Sequence, residues 1–151
     1  MADRPAGPTP DPSAGNFAVP AGALLVAVGF FLPWVVPGVT GLEMASNERL
    51  AYMTLASLRF QSDDPLGVTR PLYLVPVLAL TCLMLDLTVT PGSPGRAAVR
   101  FSILAAGIAL SLFFVFMGLA FGGMLAYGFW GSLTGSLFIT VGAGFNVVRK
   151  E

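Results

Sequence analysis

The sequence predicts an all-α integral membrane protein: a four-transmembrane-helix up-down bundle, both termini cytoplasmic, with one external loop carrying a short helix. Three observations predict it. Apolar side chains make up 55% of the 151 residues and charged ones only 11%, less than half of the roughly 25% usual in soluble domains. Too few polar groups remain to cover a water-facing surface. Uncharged stretches recur at bilayer length, and cationic and aromatic residues fall at opposite ends of them.

Residues 1–16, "MADRPAGPTPDPSAGN", are rich in proline and hold no large aliphatic side chain after Met1. They are expected to form a disordered cytoplasmic tail. Residues 17–36 contain no charge, and a helix of that length rises about 30 Å, the thickness of a hydrocarbon core. A cleaved signal peptide fits this stretch poorly, because the preceding residues hold Arg4 against Asp3 and Asp11 and no small-x-small site follows. The expectation is a retained first span. Within "GFFLPWVVPGVTG", Trp34 is expected at the outer lipid boundary, with the external loop, residues 37–70, opening at Pro37-Gly38.

In that loop Ser46 is a candidate cap for a short helix, with Glu48 near its positive end. Leu50, Met53 and Leu58 then share a weakly apolar face, suited to lying over the outer helix ends, docking a partner or covering a ligand. "SDDP" reads as a turn, and Asp63 and Asp64 offer too few oxygens for a calcium loop.

The second span covers residues 71–89. Pro71 suits a first helical turn, and Pro76 is expected to bend the helix slightly. "TPGSPG", residues 90–95, ends the span. Residues 101–148 hold no Asp, Glu, Lys or Arg, and as a single helix would run about 72 Å, more than two hydrocarbon cores. They must fold back, and "FGGMLAYG" supplies the turn. The third and fourth spans are therefore expected near 101–122 and 127–148, with residues 149–151 as a cytoplasmic end. Arg4, Arg96, Arg100, Arg149 and Lys150 then share one side, while Arg49, Arg59 and Arg70 lie in the acid-containing loop on the other. The positive-inside rule places both termini in the cytoplasm. Trp34, Tyr73, Tyr127 and Trp130 all fall at the outer ends as interface anchors.

Composition also excludes chemistry. Eight acidic residues balance eight basic ones, so no field attracts nucleic acid. Cys82 is the single cysteine and sits in an apolar run, where a thiol behaves as a small hydrophobe. The chain has no histidine, which removes histidine metal sites and histidine bases. Serines and threonines have no activator, and the glycines lack a phosphate-loop context. No enzyme, cofactor or metal site is expected.

Asp86 is the one acid inside a predicted span, which makes it a functional candidate. It lies about one turn from the cytoplasmic boundary, where it can pair with Arg96 or Arg100; the rival role is a proton or cation carrier. Gly107, Ser111, Gly118 and Gly122 recur at helical spacing in the third span, as do Gly128, Gly131, Gly135 and Gly142 in the fourth, with Ser132 and Ser136 beside them. Such faces allow close helix packing within the bundle, with a second copy or with another membrane subunit. Asn146 is either an interhelical hydrogen-bonding residue or a polar boundary, and Phe113, Phe114 and Phe116 face lipid or pack.

"FLPWV" (residues 31–35) and "GFWGSLTG" (residues 128–135) resemble small bacterial four-transmembrane-helix proteins of unknown function. In these a Leu-Pro-Trp-like step ends the first span and a glycine-rich aromatic sequence opens the fourth. The order of elements is also similar to the claudin-type layout, but the external loop lacks that family's cysteine pair and second Trp. The resemblance implies an architecture and no active site. The expected role is a non-catalytic accessory or scaffold subunit of an assembly in the cell membrane; the alternative is a small proton- or cation-coupled transporter component using Asp86.

Overall fold

The computed structural model describes residues 17–35, 38–46, 70–89 and 94–148. They are mostly helical. Three helices are long and apolar enough to cross a membrane, within Pro71–Thr88, Arg96–Leu119 and Tyr127–Val148, and Ala18–Phe30 is a shorter apolar helix. Helix α1 is Ala18–Phe30, α3 is Leu74–Thr88, α4 is Arg96–Phe121 and α5 is Tyr127–Val148. Between α1 and α3 lie the short strands β1 (Pro33–Val35) and β2 (Val39–Thr40), helix α2 (Gly41–Ser46) and a 3-10 turn, Arg70–Tyr73.

Helix α1 stops six residues short of the expected end of the first span, and Pro33 is the reason. Proline disfavours the helical conformation of the residue before it and brings no N–H to a carbonyl one turn back. The Gly29 carbonyl, which residue 33 would normally serve, accepts instead from the Leu32 N–H at 3.1 Å and the Trp34 indole N–H at 2.9 Å. The chain continues as β1, which pairs antiparallel with β2 in the register Pro33↔Thr40 and Val35↔Val39. Gly38, at φ 126°, makes the turn between them, donating its N–H to the Val35 carbonyl at 2.8 Å.

Helix α2 ends at Ser46, and the short helix that Ser46 is expected to cap falls outside the described residues. Helix α2 has a cap of its own. Thr40 is the cap: its hydroxyl accepts from the Glu43 N–H at 3.1 Å, while the Glu43 carboxylate accepts from the Thr40 N–H at 2.9 Å and its hydroxyl at 3.0 Å. That reciprocal pattern is a capping box. Glu48, the Leu50/Met53/Leu58 face, and Asp63 and Asp64 lie outside the described residues, as do residues 1–16 and 149–151.

Helix α3 is preceded by the 3-10 turn, so Pro76 falls in its first α-helical turn. Proline is tolerated in a first helical turn. Helix α4 begins five residues before the expected third span and takes in Arg96 and Arg100. Long arginine stems let a helix carry such charges at its end without holding them in an apolar layer. A 3-10 turn, Gly122–Met124, separates α4 from α5.

Helix α5 is the hub: its most extensive packing is against α1, next against α4, while α3 packs mainly on α1. The α1–α5 contact is backbone against backbone. A Cβ on Gly22 would lie 2.5 Å from the Gly135 carbonyl oxygen, one on Gly135 2.6 Å from that of Gly22, and one on Gly142 2.7 Å from Ala18 Cβ. These pairings run antiparallel. On the next flank, Gly107 has no room for a Cβ beside Thr140 and Ile139 of α5. Outward-facing positions are apolar: Leu24 and Val28 on α1, Leu80 and Met84 on α3, Leu112 and Phe116 on α4, Phe138 and Phe145 on α5 are exposed. A water-soluble surface does not carry so continuous an apolar coat; lipid suits it.

Candidate functional sites at the two ends of the helices

At one end, the ring of Trp34 is 1% exposed. It packs edge-on against Phe30 of α1, Phe114 of α4 and Phe129 of α5, at centroid distances of 5.7, 5.4 and 6.3 Å. This differs from the expected interface anchor: an interface tryptophan presents its N–H to water, whereas this one donates to the Gly29 carbonyl inside the protein. The rings of Tyr73, Tyr127 and Trp130 are exposed, as anchors require. The Trp34 carbonyl accepts from the Ala126 N–H at 2.8 Å, and Val35 bridges Leu125, so the segment leaving α1 is tied to the one entering α5.

Helix α2 closes this end. A Cβ on Gly41 would meet Trp34 at 2.8 Å and Phe30 at 2.9 Å. Met44 and Ala45 are buried, as is Leu72 of the 3-10 turn, against which α2 packs. The two chain positions that flank residues 47–69 are thereby held side by side. The Glu43 carboxyl is pushed below its ordinary value by the Thr40 backbone N–H and then by the Thr40 hydroxyl.

At the other end, a partly open cavity of about 450 Å³ lies among the start of α1, the ends of α3 and α5 and the start of α4. Asp86, Arg96, Arg100 and Asn146 line it together with Phe17, Pro20, Leu87, Val89 and Ile103. Arg96 and Arg100 sit one turn apart on α4, half-buried, and Arg100 acts electrostatically on Asp86. The sequence-derived trio thus meets in one cavity, and Asn146 joins it.

The small-residue positions divide three ways. Gly128, Gly135 and Gly142 face α1 or the strand leaving it, and Gly107 faces α5. Gly118 is in ordinary contact with the Phe129 ring, and Gly122 opens the 3-10 turn. Gly131 is corrected: a Cβ there meets nothing within 4 Å, so it is not on the packed face. Ser111 donates to Ser136 Oγ at 3.2 Å and lies 3.2 Å from Thr140 Oγ1. Ser136 and Thr140 spend their own protons on the Leu133 and Ser136 carbonyls, which leaves both hydroxyl oxygens as acceptors for Ser111. Of the three phenylalanines read as lipid-facing or packing, Phe114 is fully buried, Phe113 half-buried and Phe116 exposed.

Sequence reasoning missed Gly22 and Gly29, the α1 half of the seam, although their seven-residue spacing repeats that of Gly128, Gly135 and Gly142. It also missed the capping box, which "TGLE" spells out. No family model, no curated protein and no solved structure matches the chain.

Proposed function

We propose that this chain is a multi-pass protein of the cell membrane, a four-helix up-down bundle with both termini cytoplasmic. In this reading it is a non-catalytic scaffold or accessory subunit that presents residues 47–69 to a partner on the outer side. The observation that carries the reading is the clamp of α2 on the 3-10 turn Arg70–Tyr73, seated over Trp34 and Phe30. A segment whose two ends are fixed over a packed base loses less entropy on docking than one on free tethers.

The shortness of α1 is compatible with four crossings. Its 13 residues rise about 20 Å, and three extended residues of β1 add up to about 10 Å. Non-helical backbone at membrane depth needs internal hydrogen bonds, and the bonds of β1 to β2 and of Trp34 to Ala126 supply them. The small-residue faces are largely used inside the molecule, so partner contact is assigned to the outer segment rather than to a glycine stripe.

The test is purification of a tagged copy at native expression in mild detergent, beside a variant with residues 47–69 replaced by a Gly/Ser linker of equal length. The reading expects a stoichiometric membrane partner that is lost in the linker variant while the melting temperature holds. A wild-type protein that purifies alone would sink it. The cavity holding Asp86 favours a second reading, a proton- or cation-coupled transporter component. That reading expects flux in proteoliposomes that disappears in Asp86→Asn.

A further inference from the structure

The cavity at the Arg96 end has a charge and a shape that the scaffold role does not use. Two guanidinium groups and one carboxylate line it, beside the Asn146 amide. With Asp86 ionised the lining carries one positive charge in excess. The remaining walls, Phe17, Pro20, Leu87, Val89 and Ile103, are apolar. Phe17 is 70% exposed at the rim, so the cavity borders the apolar coat of the helices.

Guanidinium groups bind phosphate oxygens through paired N–H donors. Arg96 and Arg100 both lie in the first turns of α4, where the helix dipole also favours an anion. Basic cavities between membrane helices on the cytoplasmic side are suited to anionic headgroups. We propose that this cavity binds the phosphodiester headgroup of an anionic membrane phospholipid: Arg96 and Arg100 take the phosphate, Asn146 offers its amide to headgroup hydroxyls, and the Phe17 side of the rim meets the acyl chains. Asp86 opposes Arg100 and lowers the charge of the site to match a single negative phosphodiester. A dianionic phosphate monoester is overcharged for it. The inference rests on the chain lying in a bilayer and not on the scaffold role.

The test uses the full chain in detergent and reads its melting temperature during titration with phosphatidylglycerol, phosphatidylcholine or inorganic phosphate. Phosphatidylglycerol should raise the melting temperature in a saturable way and phosphatidylcholine should not. Millimolar inorganic phosphate should have no effect; stabilisation by it to the same extent would assign the site to a free anion and overturn the lipid assignment. Arg96→Gln and Arg100→Gln should each weaken the apparent phosphatidylglycerol affinity roughly fivefold. Equal responses from wild type and both variants would show that charge outside the cavity is responsible, and would overturn the proposal. Should a Gln variant fail to fold, Arg96→Lys and Arg100→Lys keep the charge while removing the paired donors. They should weaken binding measurably although the charge is kept, and no weakening in either would equally refute a guanidinium site. Loss of a protein partner in the linker variant has no bearing on these titrations, so the two proposals fail separately.

Discussion

The two flanks of α5 hold their neighbours by different means. Toward α1 the contact is glycine against glycine, with Gly22 and Gly135 so close that neither has space for a Cβ. Toward α4 a hydroxyl pair is added to a single close-packed glycine, Gly107, with Ser111 donating to a Ser136 whose own proton is held by Leu133. Apolar side chains gain little from leaving lipid for a helix interface, so association must come from close packing or from polar bonds. Helix α5 uses close packing alone toward α1 and adds polar bonds to it toward α4. The difference teaches where substitutions will be costly. A backbone cannot move aside for a new side chain, whereas a lost interhelical hydrogen bond can be replaced by another local partner.

Trp34 touches both flanks, through Phe30 and Phe114, and its removal should loosen them together. Trp34→Ala is expected to cost about 3–5 kcal/mol, the range for emptying a large aromatic site, read as a single lowered unfolding transition in detergent. Two transitions would mean that the flanks are independent. A smaller effect sharpens the contrast between hydroxyls one turn apart. Ser132 and Ser136 are both fully buried, yet Ser132 Oγ, on the α1 flank, has no hydrogen-bond partner among the described residues. Ser136→Ala should cost about 0.6–1.7 kcal/mol, while Ser132→Ala should be neutral or stabilising because it removes an unsatisfied buried hydroxyl. The reverse order would break the assignment of the two faces.

The smallest effect belongs to the cap of α2. Bonds from Thr40 lower the Glu43 pKa in the folded state below the unfolded value near 4.5. The stabilisation is therefore full above that value and is lost as pH falls through the folded pKa. The carboxylate is fully exposed, so Glu43→Gln should only flatten a shallow acid dependence of the melting temperature. A steep loss at acid pH that survives the substitution would point to another group.

Much of the helix layout was legible because uncharged length and turn residues are local signals. Helix α5 runs over Tyr127–Val148, where the uncharged stretch after "FGGMLAYG" places a span. The end of α1 was misjudged because hydropathy continues through "FLPWVV" while Pro33 has already broken the hydrogen-bond ladder. Trp34 was misplaced because composition cannot say whether a ring at a helix end turns outward or inward; the freed Gly29 carbonyl decides it. At the charged end, the trio of Asp86, Arg96 and Arg100 could be named from spacing. Its enclosure by Phe17 and Asn146 depends on how distant segments pack.

The most direct test of the central claim, that α5 closes the molecule through a glycine face turned to α1, is one pair of variants. Gly135→Leu and Gly131→Leu place the same side chain on the same helix, about one turn apart, and their melting temperatures in mild detergent are compared with wild type. Gly135→Leu should lower stability by about 3 kcal/mol or more, beyond ordinary overpacking, because the Gly22 carbonyl and the Val26 N–H stand in the way. Gly131→Leu enters open space and should leave stability unchanged or slightly raised. Equal losses in the two variants, or tolerance of Leu at 135, would contradict the account.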